Sequence, residues 1–166
     1  MSLPARIGWA LELLAPMRGE RVLEIGCGPG VAAAELVAAG CEVTALDRSA
    51  KAIEAAAARL GGRARLICGA LQTADLPTAA FDAVLAINVN LFWTTDGAGL
   101  AALRRTLAPR GRLALVFDAP SETQAKRIGE ALSANLAAAG LACDLRQGSG
   151  RQIAALARAY ALGPRL

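Results

Sequence analysis

Histidine is absent from this 166-residue chain, and so is any CxxC pair, because the cysteines stand singly at positions 27, 41, 68 and 143. Neither zinc-ligand spacing nor a disulfide framework is therefore visible, no metal site is expected, and four reduced thiols point to the cytoplasm. Aromatic residues are scarce: three Phe, two Trp and one Tyr. The basic residues, all arginine except Lys51 and Lys126, are scattered from Arg6 to Arg165 with no run longer than Arg104-Arg105. A nucleic-acid binder gathers its charge into a patch interleaved with aromatics, so a formal charge of +4 spread in this way argues against such a partner. Long hydrophobic runs are missing too. No uncharged apolar stretch approaches the roughly 18 residues of a membrane span, and the N-terminal IGWALELLAPM, interrupted by Glu12 and followed by no A-x-A site, reads as a helix rather than a signal peptide. A soluble protein with no membrane partner is expected.

What the chain has in abundance is small apolar residues in a repeating beat. With 55% apolar and 19% charged residues, it has the composition of one compact domain over 1–166, with a leading helix in 1–19 packed on it. That helix rests on Ile7, Ala10, Leu11 and Leu14 at helical spacing, and Pro16 and Gly19 stop it. RVLEI (21–25) reads as a strand, followed by a glycine bend and the alanine-rich VAAAELVAA (31–39), a helix ending at Gly40. EVTAL (42–46) is a second strand, and residues 50–60 a helix entered through Ser49 and closed by Gly61-Gly62. ARLI (64–67) and DAVLAI (82–87) supply strands three and four around a long loop. The pattern then predicts a helix over 96–108 with Leu100, Leu103 and Leu107 on one face, a strand RLALVF (112–117), and a helix from the Ser121/Gln124 capping pair to Gly140. LACDLRQ and QIAALARAY, separated only by GSGR, leave no room for a crossover helix and pair as an antiparallel hairpin. The expected fold is α/β: a doubly wound, Rossmann-like, seven-stranded, mostly parallel sheet with a C-terminal antiparallel hairpin and helices on both faces. Ligands of such sheets bind beyond the carboxyl ends of the strands, here the loops 24–30, 47–48, 68–77 and 88–96.

Within VLEIGCGPG (22–30), Gly26, Gly28 and Gly30 remove side chains where the backbone turns sharply and something must approach it. The bend opens a helix, whose free N–H groups welcome a polar or anionic group; a tight turn with no ligand is the alternative. A dinucleotide and an adenosyl sulfonium compete for it. The dinucleotide fingerprint G-x-G-x-x-G/A fails at Val31. Glu24, a carboxylate at the end of the first strand, would sit badly beside a pyrophosphate and well beside an ammonium or sulfonium group, although a carboxylate merely facing solvent there is the plainer reading.

EIGCGPG resembles the E/D-x-G-x-G-x-G signature of the class I S-adenosylmethionine-dependent methyltransferases, here of the small single-domain, methyltransferase type 11-like kind. Asp47, closing VTALD, is similar to the family's ribose-gripping acid; LPTAAFDAVLAINVNLFW resembles the family's approach to strand four; and LRRTLAPRGRLALVF resembles its L-x-x-L-x-P-G-G-x-L segment, with Arg110 in place of the first glycine. The likeness covers residues 21–118 in order, and the closing hairpin resembles the family's reversed seventh strand. It implies S-adenosylmethionine as cofactor and S-adenosylhomocysteine as product. It implies that Glu24 holds the methionine amino group, that Gly26, Cys27, Gly28 and Gly30 let the backbone pass beside amino acid and ribose, and that Asp47 fixes the ribose, with Arg48 and Asn88 flanking the site. One position departs: where members carry Gly-Asp-Ala after the third strand, Gly69 is followed by Ala70 and Leu71, so the adenine would rely on the N–H groups of Ala70 and Leu71, or on Gln72 or Asp75.

Methyl transfer from an activated sulfonium asks mainly for orientation and exclusion of water. With no histidine, a general base would have to be Asp, Glu, Tyr, Cys or Lys, or the acceptor itself. Asn88, Asn90 and Asp96 are the candidates near the end of strand four, with Phe92 and Trp93 as an apolar wall; equally, the asparagines satisfy turn backbone and the aromatics are core. No N-P-P-Y or D-P-P-Y stretch is present, which turns the expectation from nucleobases to a small-molecule acceptor. The chain has no insertion long enough for a lid, so an open pocket is expected, completed by the leading helix, by a second subunit of a homodimer or by a large substrate. The other readings are a binding module for S-adenosylmethionine or S-adenosylhomocysteine without turnover, and an NAD(P)-dependent oxidoreductase, against which the glycine spacing argues.

Overall fold

The computed structural model describes residues 2–94 and 98–159. In chain order the elements are α1 (Ala5–Leu14), β1 (Arg21–Ile25), α2 (Val31–Ala38), β2 (Glu42–Asp47), α3 (Ala50–Leu60), β3 (Arg65–Cys68), β4 (Phe81–Ile87), α4 (Leu91–Thr94), α5 (Ala98–Thr106), β5 (Leu107–Asp118), α6 (Glu122–Ala138), β6 (Cys143–Gln147) and β7 (Gln152–Arg158). The strands form one seven-stranded sheet in the order β3-β2-β1-β4-β5-β7-β6. β1 to β5 run parallel, and β7 lies antiparallel between β5 and β6. The strand order reverses at β1, between β2 and β4, which opens a crevice at the carboxyl ends of those strands.

Alternation along each strand divides the core in two. Leu23, Ile25, Leu46, Val84, Leu113, Leu115 and Phe117 meet α4, α5 and α6 on one face. On the other face the sheet offers mostly small residues, Ala45, Ala83, Ala114 and Ala154 with Val22, Val43, Leu85 and Val116, to α1, α2 and α3. These helices carry alanine on their inner sides (Ala10, Ala32, Ala33, Ala56), so small residues meet small residues there. The helix entries follow their caps: Ser49 Oγ accepts from Ala52 N at 3.2 Å and Ser121 Oγ from Gln124 N at 3.1 Å.

Two local features differ from the sequence expectation. The helix expected to reach residue 108 ends at Thr106, and Leu107, opposite Phe81, already belongs to β5. The returning loop forces this: Ala79 N donates to Arg105 O (2.8 Å) and Ala80 N to Thr106 O (2.9 Å), which brings the start of β4 alongside the end of α5. Gly111 then passes so close that a Cβ would lie 2.9 Å from Phe81 O. The second is α4, a single turn built by Asn90, whose carbonyl accepts from Trp93 N (3.2 Å), Thr94 N (3.1 Å) and Thr94 Oγ1 (2.7 Å).

The leading helix α1 buries Ile7, Ala10 and Leu14 against β4 and β5. It runs across β4 and β5 from the carboxyl ends of the strands to their amino ends. Trp9 packs beneath the β6–β7 turn, where a Cβ on Gly148 would lie 2.9 Å from Trp9 Cζ2. At the far end Ala15 takes a left-handed conformation (φ 48°), and Arg112 of β5 donates to Leu14 O and Ala15 O, both at 2.8 Å. Among the described residues no helix is long and apolar enough to cross a membrane.

Candidate functional site

Three apolar residues of β1, Val22, Leu23 and Ile25, are buried, and between them Glu24 is only 3% exposed. Alternation puts Glu24 on the face covered by α2, level with Ala45 of β2 and Leu85 of β4. Oε2 of Glu24 has no hydrogen-bond partner among the described residues. Burial pushes its carboxyl up to about 8; the Ala33 backbone at the start of α2 opposes that rise, and the negative charge of Asp47 adds to it. A buried acceptor left alone is costly, so the site calls for a ligand group, a water or a proton to satisfy it.

The bend after β1 divides its work among three glycines, all at positive φ: 69° at Gly26, 51° at Gly28 and 74° at Gly30. A Cβ on Gly26 would meet Val89 Cγ2 at 2.6 Å, and one on Gly30 would meet Ala56 Cβ at 3.0 Å, so these two allow internal packing. A Cβ on Gly28 would meet nothing within 4 Å. Gly28 alone of the three faces open space. The bend is tied to β2, because Gly26 N and Cys27 N both donate to Leu46 O (2.8 and 3.0 Å) and Gly28 N donates to Asp47 Oδ2 at 2.8 Å. Asp47 Oδ1 accepts from Ser49 N at 2.9 Å. Each oxygen of a carboxylate has two lone pairs, so Asp47 can accept two further hydrogen bonds without releasing either amide.

Cys27 is buried in the bend, with Sγ 3.6 Å from Gly28 O. Burial, and then the carboxylates of Glu24 and Asp47, push its thiol up to about 12, so at neutral pH it is neither a nucleophile nor a base. Arg48 is exposed, and its carbonyl lies 3.9 Å from Cys68 Sγ. After β3 the chain makes a turn in which Ala70 O accepts from Thr73 N (3.2 Å) and Ala74 N (2.9 Å), while Gly69 N donates to Asp47 O (2.9 Å). Ala70 is half-buried and Leu71 sits with its side chain in the core at 2% exposure. That leaves the turn backbone, not these side chains, to meet anything in the crevice.

At the end of β4, Asn88 is left-handed (φ 57°). Its N–H donates to Val116 O, and its Oδ1 accepts from Asp118 N, both at 2.8 Å, so it ties β4 to β5. Asn90 Oδ1 accepts from Trp93 Nε1 at 3.1 Å. The Asn88 side chain thus serves backbone, as expected, whereas that of Asn90 holds the indole of the short helix instead, and Phe92 is core at 1% exposure while Trp93 is half-buried. Asp96 lies outside the described residues. Asp118, which no motif singles out, closes β5 as Asp47 closes β2 and is exposed at the same edge. By alternation Glu24, Asp47 and Asp118 share one face of the sheet, the face covered by α1, α2 and α3. A strand-closing carboxylate was the signal that would have found it.

Two cavities, of about 480 Å³ and 590 Å³, lie at the opposite edge. The first is walled by Leu14, Arg112, Asp144 and Arg158, the second by Arg21, Thr44, Arg65 and Phe81. Neither includes Glu24 or Asp47. No group of three potential metal ligands occurs among the described residues.

Residues 22–111 match the family model described as a methyltransferase domain. The chain is 30% identical over 140 residues to YdaC, an uncharacterized methyltransferase of Bacillus subtilis (strain 168), a match spanning 80% of this chain and 77% of the relative. It is 39% identical over 126 residues to a protein-L-isoaspartate O-methyltransferase of Methylorubrum populi, where 72% of this chain covers 55% of the enzyme. This chain therefore spans about half the length of that relative. Among solved structures, the cyclase SpnF matches with a TM-score of 0.79 at 19% identity, over 93% of this chain and 80% of that one. Geranyl diphosphate C-methyltransferase from Streptomyces coelicolor A3(2), in complex with Mg2+, geranyl diphosphate and S-adenosyl-L-homocysteine, matches with a TM-score of 0.76 at 11% identity, over 93% and 79%. At such identities the likeness concerns the fold.

Proposed function

Because the chain belongs to the class I S-adenosylmethionine-dependent methyltransferase family, we propose that it transfers a methyl group from S-adenosylmethionine to a small-molecule acceptor. The observation that carries the proposal is the buried, unpartnered Oε2 of Glu24 beside a bend whose middle glycine opens outward. A ligand with a cationic amino group at one end and a vicinal diol further along suits this donor and acceptor set: Glu24 lacks a counter-charge, and Asp47 has lone pairs to spare. A pyrophosphate in the same place would bring negative charge toward Asp47 and would give Glu24 no counter-charge.

In this reading Glu24 holds the amino group, the Gly26–Gly30 backbone passes beside the amino acid and ribose, Asp47 accepts from the ribose hydroxyls, and the 69–71 backbone borders the adenine. When bound, the cofactor supplies an already activated methyl group, so no side chain has to form a covalent intermediate. The chain's own task is to orient the acceptor and exclude water. Asp118 and Asn88, at the ends of β5 and β4, border the acceptor side, and Asp118 is a carboxylate available to take up a proton there.

Calorimetric titration tests the cofactor directly. S-adenosylhomocysteine is expected to bind and NADH to give no heat; NADH binding without S-adenosylhomocysteine would overturn the proposal. A screen of small acceptors with labelled S-adenosylmethionine tests turnover, and binding with no transfer to any acceptor would favour a binding module.

The glycines provide a second test. In Gly28→Ala the new Cβ enters open space and the left-handed backbone costs about 1 kcal/mol, so the free protein melts about 2–4 °C lower while S-adenosylhomocysteine affinity drops about tenfold or more. In Gly30→Ala the Cβ meets Ala56 Cβ at 3.0 Å and Cα at 3.2 Å, so stability suffers more than affinity. Thermal melts with and without ligand separate the two cases.

A further inference from the structure

Every element packed around Glu24 denies it a counter-charge. β2 and β4 offer Ala45 and Leu85, both fully buried, at its level. α2 contributes the Ala33 backbone, the bend contributes the Cys27 thiol, and the end of β2 contributes Asp47, which is itself negative. No cation bears on Glu24 among the described residues. Burial and Asp47 together raise its carboxyl to about 8, so at neutral pH its protonated form predominates, and no described residue offers a cation to displace that proton.

We infer that the empty protein carries a proton on Glu24 and that cofactor binding is an exchange, in which the ligand's ammonium group takes the proton's place. This rests on the cofactor reading above. In the exchange the O–H bond of the Glu24 carboxylic acid breaks, its electron pair stays on the carboxylate, and the proton passes to bulk water. The ammonium nitrogen keeps its three hydrogens and forms the ion pair. A ligand lacking a cation at that end leaves the proton where it is. The bend therefore selects for the amino-acid end of the cofactor, more strongly as pH rises toward the value at which Glu24 ionises unaided.

The absence of histidine makes the exchange easy to read, since the side chain that ordinarily titrates near neutrality is missing from the whole chain. The experiment is calorimetry at pH 6 to 8 in buffers of different ionisation enthalpy. The ligands are S-adenosylhomocysteine and 5′-methylthioadenosine, which shares its adenosyl portion but has no ammonium. S-adenosylhomocysteine is expected to release about one proton at pH 7 and to lose about tenfold in affinity between pH 7 and 6. Methylthioadenosine is expected to release none and to bind equally at both.

Unliganded protein gives a second reading. Glu24's folded value lies above the roughly 4.3 of an unfolded glutamate, so the native state holds the extra proton and its stability falls as pH rises from that point to about 8. Glu24→Gln is expected to lose that slope, along with proton release. S-adenosylhomocysteine binding that releases no proton and is flat across this range overturns the inference and leaves the cofactor reading standing. Failure of both ligands to bind overturns the cofactor reading, and the inference with it.

Discussion

Replacing Asp47 with alanine is expected to weaken S-adenosylhomocysteine binding by about a hundredfold or more. A hydrogen bond to a charged group contributes about 1.5–3 kcal/mol, two ribose hydroxyls are proposed to share this carboxylate, and each 1.4 kcal/mol is about a factor of ten. The loss is compounded locally, because Asp47 also accepts from Gly28 N and Ser49 N and so holds the bend against β2. Asp47→Asn keeps the shape and one acceptor oxygen, and should lose about tenfold. Calorimetric titration of the two variants, alongside melts of the free proteins, distinguishes lost contacts from a loosened bend. Equal affinity in wild type and Asp47→Ala would remove the ribose role from this residue.

The largest expected effect on stability lies at the other edge of the sheet. Arg112 donates through Nη1 to Glu20 Oε1 (2.6 Å) and through Nη2 to Glu20 Oε2 (2.8 Å), and its Nε and Nη2 also donate to Leu14 O and Ala15 O at the end of α1. Both side chains are mostly covered, at 15% and 12% exposure. Arg112→Ala leaves a largely buried carboxylate and two helix-end carbonyls without partners, and should cost about 3 kcal/mol in urea unfolding. The same pair sets an acid limit. The Arg112 guanidinium first, and the Met17 N–H second, hold Glu20 below the usual carboxylate range against the opposing effect of burial. Its contribution is therefore complete above the unfolded value of about 4.3 and is lost as pH falls through the lower folded value. Urea titrations at pH 7 and at acid pH should show the difference between wild type and Arg112→Ala shrinking in acid. A difference that stays constant would assign the effect to packing instead.

The bend and its flanking elements were legible because their signals are local: glycines where φ must be positive, alanine where a helix must lie close, and a carboxylate inside an apolar strand. Glu24 could be singled out on burial grounds before its orphaned oxygen was seen. Signals that act across the chain were not legible. The Asp47–Gly28 bond joins residues 19 apart and the Arg112–Glu20 pair residues 92 apart, and no periodicity announces either. Leu107 satisfied a helical repeat as well as a strand, and the returning loop at Ala79 and Ala80 decided between them. The α4 turn is too short for a hydrophobic period and depends on the Asn90 carbonyl, while the role of Asn88 in holding backbone was legible as one of two readings and the bond of Asn90 to the Trp93 indole was not among them. Asp118 belongs with Asp47 as a strand-closing acid, a signal that no single motif carries and that shows only when such acids are taken as a set.

A crystal structure with S-adenosylhomocysteine bound tests the cofactor assignment most directly. The ligand's amino group should lie within hydrogen-bond distance of Glu24 Oε2, its ribose hydroxyls on the Asp47 carboxylate and its chain across Gly28. A ligand seated instead in the 480 Å³ cavity beside Arg112 and Arg158, or bound at the bend with its amino group turned away from Glu24, would contradict the assignment.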